Sequence, residues 1–518
     1  MILTLAALLP FTAMADIWQD PKTQIKYEYT IGDSSASVAY SERAVAGDVA
    51  ILEKITVGGN EYVVTSIGDY AFTSCDKMTS IIIPDCVTSI GCYAFSNCIC
   101  LSSINIPKNV NFIDEYALFG CSCLVDVAIP EEVTSIGQFS FFGCSKLSNI
   151  KIPSKVTSIG QFAFFQCSKL ANISIPQSVT SIGVSAFSSC PAIKEMKVED
   201  GNPKYDSRDD CNAIIETETN CLIAGCRNTI IPNSVTDIGN GAFAGCVNLS
   251  AINIPVGVKC IGDKAFNACT ELSAINIPAS VKSIGDNAFS YCEELNAITI
   301  PASVTNIGNG IFAYCKILTE INVESGNCMY DSRDNCNAII ETHTNTLVAG
   351  CPVTHIPNSV KAIGNEAFLG FYGLTNINIP EGVISIGEKA FSSCGLERIR
   401  IPGSVNSIGA EAFANCNYLE SIISLIQEPF NIQENTFPSY KYSSAILYVP
   451  QNTRMKYKYV PSWKKFVRIE EMEETYIEGY GCTEVVGPQN YYDLQGQRLV
   501  GKANKGMYVN NGRVILVK

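Results

Sequence analysis

The sequence predicts a repeat solenoid, a stack of β-containing rungs in place of a single globular core. Three observations lead there. One 23-residue phrase, Ile-Pro-x-x-Val-x-Ser-Ile-Gly-x-x-Ala-Phe-x-x-Cys-x-x-Leu-x-x-Ile-x, recurs along the 518-residue chain. Its prolines keep the beat in three runs: Pro84, Pro107, Pro130, Pro153 and Pro176; Pro232, Pro255, Pro278 and Pro301; Pro357, Pro380 and Pro402. Steps within a run are 23, except for a last step of 22. Each copy also offers Leu, Ile, Ile, Val, Ile, Ala, Phe and Cys to one interior. A lone rung cannot bury that set, and a stack buries all of it.

From the N-terminus, residues 1–15 carry no charge, Ile2 to Phe11 is apolar, and Ala13-Met14-Ala15 has the form of a signal-peptidase site. An export signal is expected over 1–15, with the mature chain starting at Asp16. The basic residues that open such a segment are missing, which points to a start further upstream. No stretch reaches the roughly 18–20 apolar residues a spanning helix needs. Residues 16–62 are rich in Tyr, Val and Ile without the beat and read as a β-rich cap over the first rung.

The solenoid is expected over 63–423. Thirteen copies of the Ile-Gly…Ala-Phe segment run from Ile67-Gly68 to Ile408-Gly409, with Asp114 replacing the glycine once. Asp tolerates positive φ better than most residues, so a left-handed turn is expected at that position, before a short helical or 3-10 piece. Within one rung, Leu101 to Ile106 alternates apolar and polar as a half-buried strand should, and Pro107 ends it.

Two steps, Pro176 to Pro232 and Pro301 to Pro357, span 56 residues, or 23 plus 33. The inserts, near 199–231 and 324–356, are near-copies lying 125 residues apart. Each reads as a loop and then a hairpin, with strands at Asn212–Ile215 and Cys221–Ala224 in the first. Residues 424–470 read as a C-terminal cap, with a strand at Ala445–Pro450 and with Tyr459, Trp463 and Phe466 closing the end. Residues 471–518 read as an acidic linker and a β tail, where Asn511-Gly512 signals a hairpin.

The phrase Leu-x-x-Ile-x-Ile-Pro-x-x-Val-x-x-Ile-Gly-x-x-Ala-Phe-x-x-Cys resembles the 23-residue leucine-rich repeat of the BspA-like family of bacterial surface proteins. The resemblance covers roughly residues 63–423. It implies a right-handed leucine-rich-repeat solenoid, with a parallel sheet on the concave side and short helical or 3-10 segments on the convex side. It also implies adhesion to host matrix proteins or to other bacteria. The tail, with Tyr492 to Arg498 and Lys505 to Val509, resembles the sorting-type C-terminal segments of exported surface proteins.

Composition narrows the chemistry. A net charge of −14 argues against tracking nucleic-acid phosphates. Only two histidines, His343 and His355, are present, and no nucleophile elbow, phosphate loop or dinucleotide fingerprint appears. The sequence reads as non-enzymatic, with no catalytic, cofactor-binding or metal-binding residues assigned. Of 24 cysteines, twelve hold the repeat position and read as buried thiols packed as small hydrophobes. Cys100 with Cys123, Cys211 with Cys226, and Cys336 with Cys351 are the pairs in which a disulfide is conceivable. The Asp206, Asp209, Asp210 and Asn212 cluster, repeated in the second insert, offers oxygen atoms suited to calcium. Asx turns explain the same residues without metal.

A partner has one regular surface to meet. The middle residue of each Ile-x-Ile strand faces the open side of the sheet. That row includes Asn105, Lys151, Ser174, Lys197, Asn253, Asn276, Thr299, Asn322, Asn378 and Arg400. The inserts add Tyr205, Arg208, Tyr330 and Arg333, residue types favoured at interfaces. The expected role is a secreted or cell-surface protein that binds a protein partner. The alternatives are glycan or nutrient capture, and structural self-association.

Overall fold

The structure, a computed structural model, describes residues 15–41 and 43–472 and the backbone of two antiparallel strands, Gly506–Asn510 and Arg513–Val517. The export segment before Ala15, the acidic junction from Glu473 and the Tyr492–Arg498 motif lie outside the described residues. The described residues fall into two compact units, one running up to Leu295 with Asn306–Ile311, the other of Asn296–Thr305 with the described residues from Phe312 onward.

Both units are solenoids of mostly parallel strands. In the first, the pairs Phe112–Ile113, Ser135–Ile136, Ser158–Ile159 and Ser181–Ile182 form one in-register parallel ladder. Asp237–Ile238, Cys260–Ile261, Ser283–Ile284 and Asn306–Ile307 form another. In the second unit, Ala362–Ile363, Ser385–Ile386 and Ser407–Ile408 do the same. The Ser-Ile pair is thus a strand, which the sequence reading treated only as a return toward the core. The Leu-x-x-Ile-x-Ile segments pair over four residues at Asn172–Ile175 with Glu195–Val198 and at Ala297–Ile300 with Glu320–Val323. The turn side carries its own ladder, since the Phe95 N–H donates to the Ala117 carbonyl and the Phe141 N–H to the Ala163 carbonyl, both at 2.8 Å.

The left-handed turn lies elsewhere than expected. The glycine after Ile is not left-handed. Positive φ falls two residues later, at Tyr93 (56°) and Phe162 (54°), and just before the cysteine, at Asn97 (58°) and Gly120 (71°). The glycine is needed because the rung below is too close. A Cβ on Gly160 would sit 2.3 Å from the Gln138 nitrogen and 2.6 Å from its Cα.

Inside, the phenylalanines stack in register: Phe141 on Phe164 at 5.2 Å in the first unit, and Phe368, Phe391 and Phe413 at 5.1 and 5.5 Å in the second. Phe437 continues that stack into the C-terminal cap. The cap adds the strands Ile446–Val449 and Arg468–Glu471 in parallel to Ser421–Ser424. Trp463 and Phe466 are buried there, but Tyr459 is 79% exposed. Tyr457 takes the buried place, with its hydroxyl 2.6 Å from Ser424 Oγ and donating to the Ile426 carbonyl. At the other end, strand Asn60–Ile67 joins the cap to the repeat by pairing Ser66–Ile67 with Ser89–Ile90.

The ladder cysteines do more than fill space. Nine of the thiols donate to a carbonyl in the rung before, among them Cys98 to Phe72 at 3.1 Å, Cys144 to Leu118 at 3.3 Å, Cys190 to Phe164 at 3.0 Å and Cys394 to Phe368 at 3.0 Å. Burial pushes the thiols of Cys144, Cys190, Cys292 and Cys416 up to about 12. Among the described residues all 23 cysteines are free thiols. Cys211 and Cys226, considered above as a pair, donate instead to the carbonyls of Ala213 and Asn212 at 3.7 and 3.6 Å.

Two expectations follow. Gly160→Ala should lower stability by about 1–3 kcal/mol or more through overpacking against backbone. Gly373→Ala, whose Cβ would meet nothing nearer than Pro352 Cγ at 4.0 Å, should change the urea midpoint little. Stability should also fall as pH rises. An unfolded thiol ionises near 9.0 and the folded Cys144 thiol only near 12, so the unfolded state binds fewer protons in between. The melting temperature should hold up to about pH 9 and decline from there toward pH 12; a flat profile over that range would contradict the thiol assignment.

Candidate binding surface

The open row is exposed as a row. Asn105, Lys151, Ser174, Lys197, Asn253 and Asn276 are exposed in the first unit, and Thr299 is exposed in the second. Asn322 and Asn378 are exposed in the second unit, where Arg400 is half-buried and paired with Glu381. The period of two in these strands causes this, because the flanking isoleucines point inward. Not every member is free to meet a partner. The Asn105 amide accepts the Ile83 N–H at 2.8 Å and donates to the Ile83 carbonyl at 2.7 Å, so it seals a backbone edge. Asn322 donates to Glu320 at 2.7 Å.

Lys151, Ser174 and Lys197 come together differently. With Asn149, Asn172 and Glu195 they line a shallow cleft of about 340 Å³. A larger cleft of about 580 Å³ shares Glu195, Lys197 and Glu199 and is walled on its other side by the first insert. The surface is polar and of mixed sign. Lys151 pairs with Glu131 at 2.6 Å, and that hydrogen bond holds the ammonium above its ordinary value and the carboxylate below its own. Both groups are exposed, so the pair adds little stability and remains available to a partner.

The first insert is built to stop one ladder and start the next. Its hairpin, Ala213–Glu216 with Cys221–Gly225, is antiparallel, and Cys221–Leu222 then pairs in parallel with Asp237–Ile238. The Tyr205 hydroxyl accepts the Ile182 N–H at 3.1 Å, at the end of the ladder that the insert interrupts. Asn202 donates to the Pro176 and Val179 carbonyls at 2.9 Å and accepts from the N–H groups of Lys204 and Tyr205. Arg208 grips Asp206 at 2.8 and 2.6 Å and reaches Asn220 at 2.7 Å. The second insert repeats this with Asn327, Arg333, Asp331 and Asn345.

The insert residues are therefore placed unequally. Tyr205 and Tyr330 are buried, 4% and 5% exposed, and their rings belong to the inserts' interiors. Arg208 and Arg333 are half-buried clamps, of which Arg208 also borders the larger cleft. The Asp206 carboxylate is occupied by a guanidinium. Among the described residues no group of three or more His, Cys, Asp or Glu side chains is placed to hold a metal ion.

One surface escaped the sequence reading. On the turn side of the first five rungs, Tyr70, Tyr93, Tyr116, Phe139 and Phe162 stack face to face at 4.8, 4.3, 4.7 and 5.0 Å. Beside them Phe119, Phe142 and Phe165 stack at 4.8 and 4.9 Å. Tyr70 is 49% exposed and the others are half-buried. Comparing the copies column by column would have found it: the residue before Ala-Phe is aromatic in the first five copies and in none of the later eight.

Tyr205→Phe should leave the Ile182 N–H without its acceptor, at a cost of about 1–3 kcal/mol. Hydrogen exchange should show Ile182 losing protection while Ile136, inside the ladder, keeps it. Equal protection in both proteins would deny Tyr205 this role.

The family model described as BspA type leucine rich repeat region matches residues 65–200, 219–336 and 349–458. Among solved structures, a leucine-rich repeat protein from Bacteroides ovatus is 26% identical over 77% of this chain and 93% of its own, with a TM-score of 0.34. A leucine rich cell surface protein from Faecalibacterium prausnitzii is 26% identical over 79% and 94%, with a TM-score of 0.41. The pneumococcal vaccine antigen PcpA is 18% identical over 89% and 100%, with a TM-score of 0.49. No curated protein matches significantly.

Proposed function

The chain belongs to the BspA-type leucine-rich-repeat family, and from that membership we propose that it is an exported surface protein that adheres to host matrix proteins or to other bacteria. The observation that carries the reading is the exposed polar row, where Lys151, Ser174 and Lys197 line one cleft and Lys197 also lines a second, walled by the first insert. A leucine-rich-repeat scaffold offers a protein partner this kind of long, rigid face, prepared before binding. The mixed charges of Lys151, Lys197, Glu195 and Glu199 suit a polar protein surface, and they select by sign more than they add affinity. Among the described residues no helix is long and apolar enough to cross a membrane. Surface attachment is then assigned to something other than such a helix, and the sorting-type tail is the candidate.

The test is binding of the chain from Asp16 onward to an array of matrix proteins, bacterial surface proteins and glycans, beside Lys151→Glu/Lys197→Glu. Saturable binding to a protein, weakened about tenfold or more by the double reversal, is the expected result. Binding to glycans alone would replace the adhesin reading with nutrient capture. Protein binding indifferent to the reversal would move the site off this cleft.

A further inference from the structure

The aromatic stripe on the turn side is not explained by folding. Its five leading residues take a left-handed φ of 54–59°, and so do Ser185, Lys264, Glu366 and Lys389 at the same place in later rungs, at 52–56°, so the turn itself asks for no aromatic ring. Later rungs fill the same place with Gly241, Gly310, Ser185 or Glu366 and stack equally well. Folding therefore does not require the half-exposed aromatic rings that the first five rungs lay in a continuous strip, and apolar strips of that kind mark contact sites. Because the rings stack on one another, they turn edges outward and not faces. That disfavours a sugar lying flat on them and favours groups that suit a ring edge, such as thioether sulfur and other aromatic rings. The strip is also flanked by one sign of charge. The turn segments of these five rungs, from the Gly or Asp114 to the Cys, contain Asp69, Asp114 and Glu115 and no lysine or arginine.

A surface with the opposite properties lies on the C-terminal cap. Between Ser424 and Met472 the chain carries seven lysines and arginines against four glutamates, within a protein of net charge −14. On the helix Arg454–Tyr459, Met455 and Tyr459 are 57% and 79% exposed. Four residues apart, they share one face, with Lys458 beside them. Lys456 and Lys465 are paired with Glu428 and Glu434, while Lys458 and Lys464 are exposed. Thioether, phenol and ammonium groups are what the ring edges and carboxylates of the strip would take.

We propose that the strip receives the C-terminal cap of a second copy of this chain. The contact is heterologous, one surface meeting a different one, so it leaves a free strip and a free cap at the ends and adds copies in a row. It uses neither the open strand face nor the first insert, and it stands apart from the adhesin reading.

The experiment is sedimentation velocity of the full chain over a concentration series, with two variants. Tyr93→Ser/Tyr116→Ser breaks the strip with a residue that Ser185 shows to be tolerated there. Lys458→Glu/Tyr459→Ser breaks the cap at exposed positions that do not threaten the fold. The expected result is self-association of the unaltered chain, weakened about tenfold or more in each variant and by added salt. An equimolar mixture of the two variants should regain association but stop at the dimer, since each keeps one intact surface. A chain that stays monomeric at every concentration overturns the proposal. So does association lost with the strip but indifferent to the cap, which would mean strip on strip.

Discussion

The constraint on which the rest depends is the closeness of successive backbones at the glycine after Ile. There the rungs approach until no Cβ fits between Gly160 and Gln138. Once that distance is set, identical side chains fall above one another, and the remaining contacts are consequences of repetition. Phenylalanines stack, serine-isoleucine pairs form two-residue strands too short to survive alone, and thiols reach the carbonyl one rung back. Each interaction is weak singly, with a buried thiol contributing less than an amide donor. Cooperation between neighbouring rungs makes them sufficient.

The inserts solve the problem that such regularity creates. A parallel ladder has open donors wherever it stops, and a buried unpaired N–H is costly. Tyr205 answers at Ile182, and the hairpin behind it supplies a fresh edge at Cys221–Leu222. The same residue types recur at Asn327, Tyr330 and Arg333, so the device was copied whole with its surrounding rungs. This placement also decides which residues remain for recognition. The insert tyrosines are consumed by the fold, and the lysines of the neighbouring strands are left on the surface.

Repetition made the fold class readable and hid much of the site. Period, proline positions and the buried set of each rung follow from one phrase, because each column answers to the same neighbours above and below. The position of the left-handed turn was misread, since glycine at Gly160 signals close approach as readily as positive φ. Tyr459 and Tyr457 could not be told apart without knowing how the short cap helix turns. The aromatic strip went unseen for a different reason. It is a property of one column across consecutive rungs, and reading along the chain separates its members by 23 residues.

The thiol ladder gives the molecule an internal scale. Twelve of the thirteen rungs hold a cysteine at the same position; all but the half-buried Cys246 are buried, and only an opened rung would yield those eleven to a soluble alkylating reagent. A brief pulse of such a reagent, read by peptide mass spectrometry, would show where along the solenoid unravelling begins and how far each event runs. The chain thus reports on its own cooperativity with no label added.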